Sequence, residues 1–223
     1  MKFTLDYVKN NPHINEFIKQ TDKYINHLGY TDHGFRHVNI VADRSRSMAR
    51  KLGLNKQQQE LAAIAGYCHD MGNYMGRTQH HYWGALLFSQ VFINDPKCSA
   101  QHLAVVQQAI ASHDKVENKL VTDIAAILVI ADKSDVAKDR IKKEISSLDE
   151  IENIHTRVNY CVNKSDLRVY PKHKIIKLIL SVNGSLSVME YFEIFVDRMN
   201  YCRVAARYLG YTFQLEVNDV TLF

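Results

Sequence analysis

The sequence predicts a mainly α-helical protein: a helical bundle over residues 1–150, then a small α+β appendage over residues 151–223 made of strands and one long helix. Three observations predict it. Only nine Gly and three Pro interrupt 223 residues, so little breaks a helix once it starts. Through most of the first 145 residues apolar side chains recur at three- and four-residue spacing, as on a helix that buries one face. From about residue 154 the texture changes to short β-branched runs divided by Asn, Lys, Ser, Asp and Pro, which read as strands. With 46% apolar residues the chain can build a substantial core.

Taken in order, Phe35, Val38, Val41, Ser45, Met48 and Leu52 form the stripe of a helix that starts behind a Thr31 or Asp32 cap and stops before Gly53. His37 therefore sits in a first turn. Asn55 caps the next helix, with Gln58 completing a capping box, and its stripe Leu61, Ile64, Ala65, Cys68 leads to His69-Asp70 in a last turn before Gly72. Gln79 to Asn94 is amphipathic, closed by Pro96, and carries His80 and His81 near its start. Ser99 caps a fourth helix, in which Leu103, Val106 and Ile110 point one way and His113 follows in phase. Asp123 to Lys138 is a fifth, almost continuously apolar from Ile124 to Ala131 and followed directly by Asp132. Arg157 to Val162 and Lys174 to Val182 read as strands, Ser187 to Leu209 as a helix, and Tyr211 to Val217 as a returning strand. The boundary between the two parts is expected near 146–153.

Composition limits the function. No apolar stretch approaches the roughly 20 residues of a membrane span, and Asp6 and Lys9 interrupt the place where an export signal needs an apolar core. Four cysteines spread singly, with no CxxC pair, argue against a disulfide framework and against a cysteine zinc site. These features predict a soluble, cytoplasmic protein with no membrane partner. A net charge of +4 without a basic tail gives no sign of a nucleic-acid partner. Eleven histidines stand out more, because imidazole is both the commonest metal ligand and the usual acid or base near neutral pH.

A His-Asp dipeptide alone carries little, and two occur here, at His69 and His113. The first ends an otherwise apolar helix, where an uncompensated carboxylate and imidazole would be costly to bury and a metal would compensate both. His37 lies upstream at the start of another helix, and Asp132 ends the most apolar helix of the chain. Four N and O ligands from three helices suit a divalent transition metal in a bundle core. Asp135 is an alternative to Asp132, and His33, four residues before His37, reads as a cleft or capping residue. His81 is expected to face elsewhere, and His13, His27, His102, His155 and His173 to lie at the surface.

At these residues the chain resembles the HD-domain metal-dependent phosphohydrolases. His33-Gly-Phe-Arg-His37 is similar to the family's first-histidine helix, Ile64-Ala-Gly-Tyr-Cys-His69-Asp70-Met-Gly72 to its central pair, and Ile130-Ala-Asp132 to its last aspartate. The resemblance covers about residues 30 to 140. It implies that His37, His69, Asp70 and Asp132 hold one divalent ion (Mn, Fe, Co, Ni, Mg or Zn). His80 and His113 resemble a subgroup with extra histidines, and would contact a second metal or the substrate phosphate, with Asp70 bridging and orienting the activated water. The chain lacks a Gly-Tyr-Pro after His113, and has Asn73 where that subgroup places Lys after His-Asp-x-Gly. A cation for phosphate must then come from elsewhere. Arg36, Arg77 and Lys133 are candidates, with Lys115 and Arg140 also within reach in sequence.

The implied activity is metal-dependent hydrolysis of a phosphate ester or phosphoanhydride in a small phosphorylated substrate, with a nucleotide the foremost class. The alternative is a non-catalytic, metal-bound module that senses a nucleotide or mediates assembly. The stripe Val188, Tyr191, Phe192, Phe195, Val196, Met199 and Cys202 is expected to pack on the appendage's strands and, in a homodimer, on a second subunit.

Overall fold

The structure, a computed structural model, describes residues 3–114, 120–142, 151, 154–183 and 188–222, and within the last range the side chains from residue 196 onward. Helices α1 (Leu5–Lys9), α2 (Pro12–His27), α3 (Phe35–Lys51), α4 (Lys56–Cys68), α5 (His80–Phe92), α6 (Ala100–Ser112) and α7 (Asp123–Lys133) form the bundle. Side chains start most of them. Asn11 accepts from the His13 and Ile14 amides ahead of α2, Asn55 and Gln58 close a reciprocal capping box on α4, and Ser99 and Thr122 cap α6 and α7. Before α3 the cap residue is Gly34 and makes no side-chain bond. Asp32 replaces it from outside the helix, accepting from the Gly34 amide at 3.0 Å and from the His37 amide at 3.2 Å.

Helix α7 runs through the centre, with every residue from Ile124 to Lys133 buried. Around it the helices come close where glycine allows. A Cβ on Gly66 would lie 2.9 Å from the Ala42 Cα and from the Val41 oxygen, so α4 rests directly on the α3 backbone. A Cβ on Gly72 would lie 2.2 Å from the His80 oxygen and 2.3 Å from the Gly84 nitrogen. The turn after α4 is thereby pressed against the first turn of α5.

The C-terminal part contains α8 (Ile154–Cys161), α9 (Val188–Tyr208) and strands β1 (Val162–Tyr170), β2 (Ile175–Val182), β3 (Thr212–Val217) and β4 (Val220–Thr221). The strands lie in the order β1-β2-β3-β4. β1 and β2 pair antiparallel, β2 and β3 parallel through the α9 crossover, and β3 and β4 antiparallel around Asn218-Asp219, whose φ values of 46° and 66° suit a tight hairpin turn. Apolar residues of this part, among them Val158, Leu178, Met199 and Phe213, join the same continuous core as the bundle.

The mainly helical fold with a small C-terminal sheet is as expected, but several elements differ. Residues 157–161, expected in a strand, belong to α8, because Ile154, Val158 and Cys161 share a helical face and burial there outweighs β-branched propensity. The polar segment that follows pairs as β1 instead of separating strands. Helix α7 stops at Lys133, short of Lys138. Val196 is 58% exposed, unlike Met199 and Cys202 of the same expected stripe, while the Val188, Tyr191, Phe192 and Phe195 side chains lie outside the described ones. The boundary expected at 146–153 also falls there, Ile151 excepted.

Candidate metal centre

Five helices end or begin at one place. His37 comes from the first turn of α3, His69 and Asp70 from the turn after α4, His80 from the start of α5, His113 from the end of α6, and Asp132 from the last turn of α7. All six side chains are buried, none exposing more than 9% of its residue surface.

Their polar atoms form two sets sharing one carboxylate. In the first, His37 Nε2 lies 3.3 Å from His69 Nε2, 3.4 Å from Asp70 Oδ2 and 3.4 Å from Asp132 Oδ1, and His69 Nε2 lies 3.3 Å from Asp70 Oδ2 and 3.6 Å from Asp132 Oδ1. In the second, the other Asp70 oxygen, Oδ1, lies 3.3 Å from His80 Nε2 and 3.8 Å from His113 Nε2, and those two nitrogens are 3.2 Å apart. Ligands about 2.0–2.2 Å from one ion sit at such separations from each other, and three overlapping triads could hold a metal: His37, His69 and Asp70 in the first set, Asp70, His80 and His113 in the second, and His69, His113 and Asp132 across the two.

Each ring is locked in one orientation. His69, His80 and His113 donate from Nδ1 to the carbonyl three residues back, Gly66, Arg77 and Ile110, at 2.8, 2.9 and 2.7 Å. His37 donates from Nδ1 to Asp135 Oδ2 at 2.7 Å. With Nδ1 committed as donor, the Nε2 of a neutral ring carries a lone pair. Lone pairs facing each other at 3.2–3.3 Å repel unless a proton or a metal ion lies between them.

The charges point the same way. Burial alone would push His69 down, but Asp70 and Asp132 overcome it and hold the imidazole up at about 10. His37 is raised by its hydrogen bonds to Asp132, Asp135 and Asp70 against burial and the Arg140 charge. His113, farther from a full set of carboxylates, is pushed down by burial. Against their own burial, Asp70 is held well below the carboxylate range by His69, His113 and His37, and Asp132 by Lys133, His37 and His69. The centre is a buried anionic hole that demands positive charge.

A family model described as HD domain matches residues 34–137, a span that holds all six of these residues. Residues 34–137 are an HD domain. An uncharacterized protein of Methanocaldococcus jannaschii, MJ1020, is similar along nearly the whole chain, 25% identical with 92% of this chain and 88% of that protein covered.

Around the HD cluster the expected cations have partners. Arg36 donates to Asp135 Oδ2 at 2.9 Å and to Asp139 at 3.3 Å. Lys133 bridges Asp132 Oδ2 at 2.8 Å and Asp114 Oδ1 at 2.7 Å. Arg77 bonds the Asn73 amide oxygen at 2.8 Å, and Asn73 donates onward to Asp70 Oδ1 at 2.9 Å. Asn73 thus steadies the shared carboxylate in place of a phosphate-binding Lys. Arg140 is buried between the Asp135 and Asp32 carbonyls, and Lys115 lies outside the described residues.

Of the remaining histidines, His33 is buried beside His37, its ring 5.6 Å away, and bonds the Thr31 carbonyl. His81 does not face elsewhere: it is buried with its ring 6.3 Å from that of His113. His102, expected at the surface, is half-buried and stacks on Phe3, whereas His13, His27, His155 and His173 are exposed. Sequence reasoning missed Asp114 and the orienting work of Asn73. Their positions next to His113 and three residues after Asp70 were the available signals.

Between the two aspartates considered for the ligand, geometry assigns different work. Asp132 meets the Nε2 atoms, and Asp135 meets the back of His37. Asp135→Asn should leave the His37 ring with a neutral partner and lower metal affinity by about 10- to 100-fold, measured by competition with a chelator. Unchanged affinity would show that Asp135 serves only Arg36 and Arg140.

Proposed function

We propose that the chain is a metal-dependent phosphohydrolase that cleaves a phosphate ester or phosphoanhydride in a small phosphorylated substrate, with a nucleotide the first class to test. One observation carries it: four imidazoles locked by their Nδ1 bonds aim Nε2 atoms at a shared, ionised Asp70. His37, His69, Asp132 and Asp70 Oδ2 would hold one divalent ion, and His80, His113 and Asp70 Oδ1 a second. Ions so held lower the pKa of bound water towards about 7 and polarise a phosphoryl oxygen.

The chain's own groups supply position and exclusion. Asp70 fixes the spacing of the two sets, and Lys133 holds Asp132 so that one oxygen faces the histidines. Asp114 Oδ2 lies 3.9 Å from His80 Nε2, and Lys133, His113 and His80 hold its carboxyl well below the carboxylate range against burial, so it adds a fixed negative charge beside the second set. Cys68, the thiol nearest in sequence, is fully buried and its pKa is pushed far up by desolvation, so it does not compete as a nucleophile. No described helix is long and apolar enough to cross a membrane.

The test is a screen of purified protein with Mn, Co, Ni, Mg, Fe and Zn against nucleoside mono-, di- and triphosphates and other phosphate esters. Cleavage is expected, with label from oxygen-18 water entering the released phosphate or the nucleotide product. If no phosphorylated compound is cut with any metal, the sensing or assembly reading replaces this one.

A further inference from the structure

The cations named so far leave the substrate's charge poorly met, since Arg36 and Lys133 are neutralised by carboxylates. Helix α9 changes this. It packs against α7 with Met199 and Cys202 buried, and its Tyr201 ring lies 5.8 Å from Lys133 Nζ, the group bonded to Asp132. Arg198 is one helical turn before Tyr201 and Cys202, on the same side of α9, and is half-buried. Its guanidinium is desolvated and lies within the fields of Arg140, Asp132, Asp114 and Arg77, and its charge is felt in turn at Lys133 and His155. The two carboxylates in that field are already taken by Lys133.

Arg77 approaches from the connection between α4 and α5. Its one side-chain hydrogen bond among the described residues goes to a neutral amide, and its guanidinium lies over the Tyr30 ring at 5.8 Å. An anion bound between α9 and the α4–α5 connection would meet both guanidinium groups, and sharing a phosphate would satisfy their donors. A guanidinium fork presents paired donors to phosphate oxygens.

We propose that Arg198 and Arg77 clamp the substrate phosphate at the mouth of the metal centre, so that the C-terminal part, outside the HD match, supplies the phosphate-holding cation that Asn73 does not. This rests on the reading of the centre as a phosphohydrolase site. It makes α9 a wall of the active site and gives the C-terminal part a catalytic purpose.

The experiment measures inorganic phosphate binding to metal-loaded protein by titration calorimetry, with metal content determined on the same samples, for wild type, Arg198→Gln, Arg198→Lys and Arg77→Gln. Wild type should bind phosphate, and both Gln variants should keep their metal and weaken phosphate by about 10- to 100-fold, the loss of one charged hydrogen-bonding partner. Arg198→Lys should recover part of the affinity. Where a substrate is turned over, the Gln variants should raise KM more than they lower kcat. Equal phosphate affinity in Arg198→Gln and wild type, or no phosphate binding by metal-loaded wild type, overturns the clamp. If Arg198→Gln fails to fold, Arg198→Lys and Arg77→Gln decide the matter, and wild-type affinity in both overturns it. Wild type without metal would instead sink the reading of the centre itself.

Discussion

Asp70→Ala is expected to lose metal from both sets and to reduce turnover by at least about a thousandfold, the scale of several kcal/mol of lost charge stabilisation. Among the described residues of the centre, only Asp70 turns one oxygen to each set. Its Oδ2 lies within 3.4 Å of His37 and His69, and its Oδ1 within 3.8 Å of His80 and His113, so truncation removes a ligand from each set at once. It also removes the first of the two negative charges that hold His69 up at about 10, and the one carboxylate that all four imidazoles face. The helices should persist, because the Thr21 and Asn73 contacts to the Asp70 carbonyl are main-chain bonds that Ala keeps. Elemental analysis and circular dichroism on the purified variant check this, and full stoichiometric metal in a folded Asp70→Ala would refute the assignment.

The second large effect is expected from a residue with no chemistry. Gly72 has φ of −82°, which any residue adopts, so alanine meets no backbone strain there. What it meets is backbone: the His80 oxygen at 2.2 Å and the Gly84 nitrogen at 2.3 Å. Neither can rotate away, so the start of α5 must move, and His80 moves with it from its 3.3 Å approach to Asp70 and its 3.2 Å approach to His113. Gly72→Ala should destabilise the protein by about 3 kcal/mol, at the upper end for overpacking, and weaken the second set more than the first. Urea unfolding of metal-free protein and metal titration measure the two effects. Wild-type values in both would mean that α5 is not held by this contact.

Much of the site was legible because its residues end helices whose buried stripes were themselves legible. His69 and Asp132 each follow a continuous apolar run, and the caps at Asn55 and Ser99 fixed the phase of the helices carrying His69 and His113. The separate tasks of Asp132 and Asp135 were not legible. Both follow the same buried run, and only the three-dimensional placement of His37 decides which carboxylate meets Nε2 and which meets Nδ1. Helix α8 was misread since eight residues of mixed β-branched and polar character carry little local preference, and packing decided them. Arg198 had no local signal at all. It is 66 positions beyond Asp132 on a helix whose sequence gives only an amphipathic stripe, and the α7–α9 packing brings it to the centre.

The most direct measurement is an anomalous-scattering map from crystals of the manganese-loaded protein. Two peaks are expected, roughly 3.5–4 Å apart, one ligated by His37, His69 and Asp132, the other by His80 and His113, with the Asp70 carboxylate between them. A loaded, ordered crystal with no ion bound by His37, His69, Asp70 and Asp132 would contradict the account.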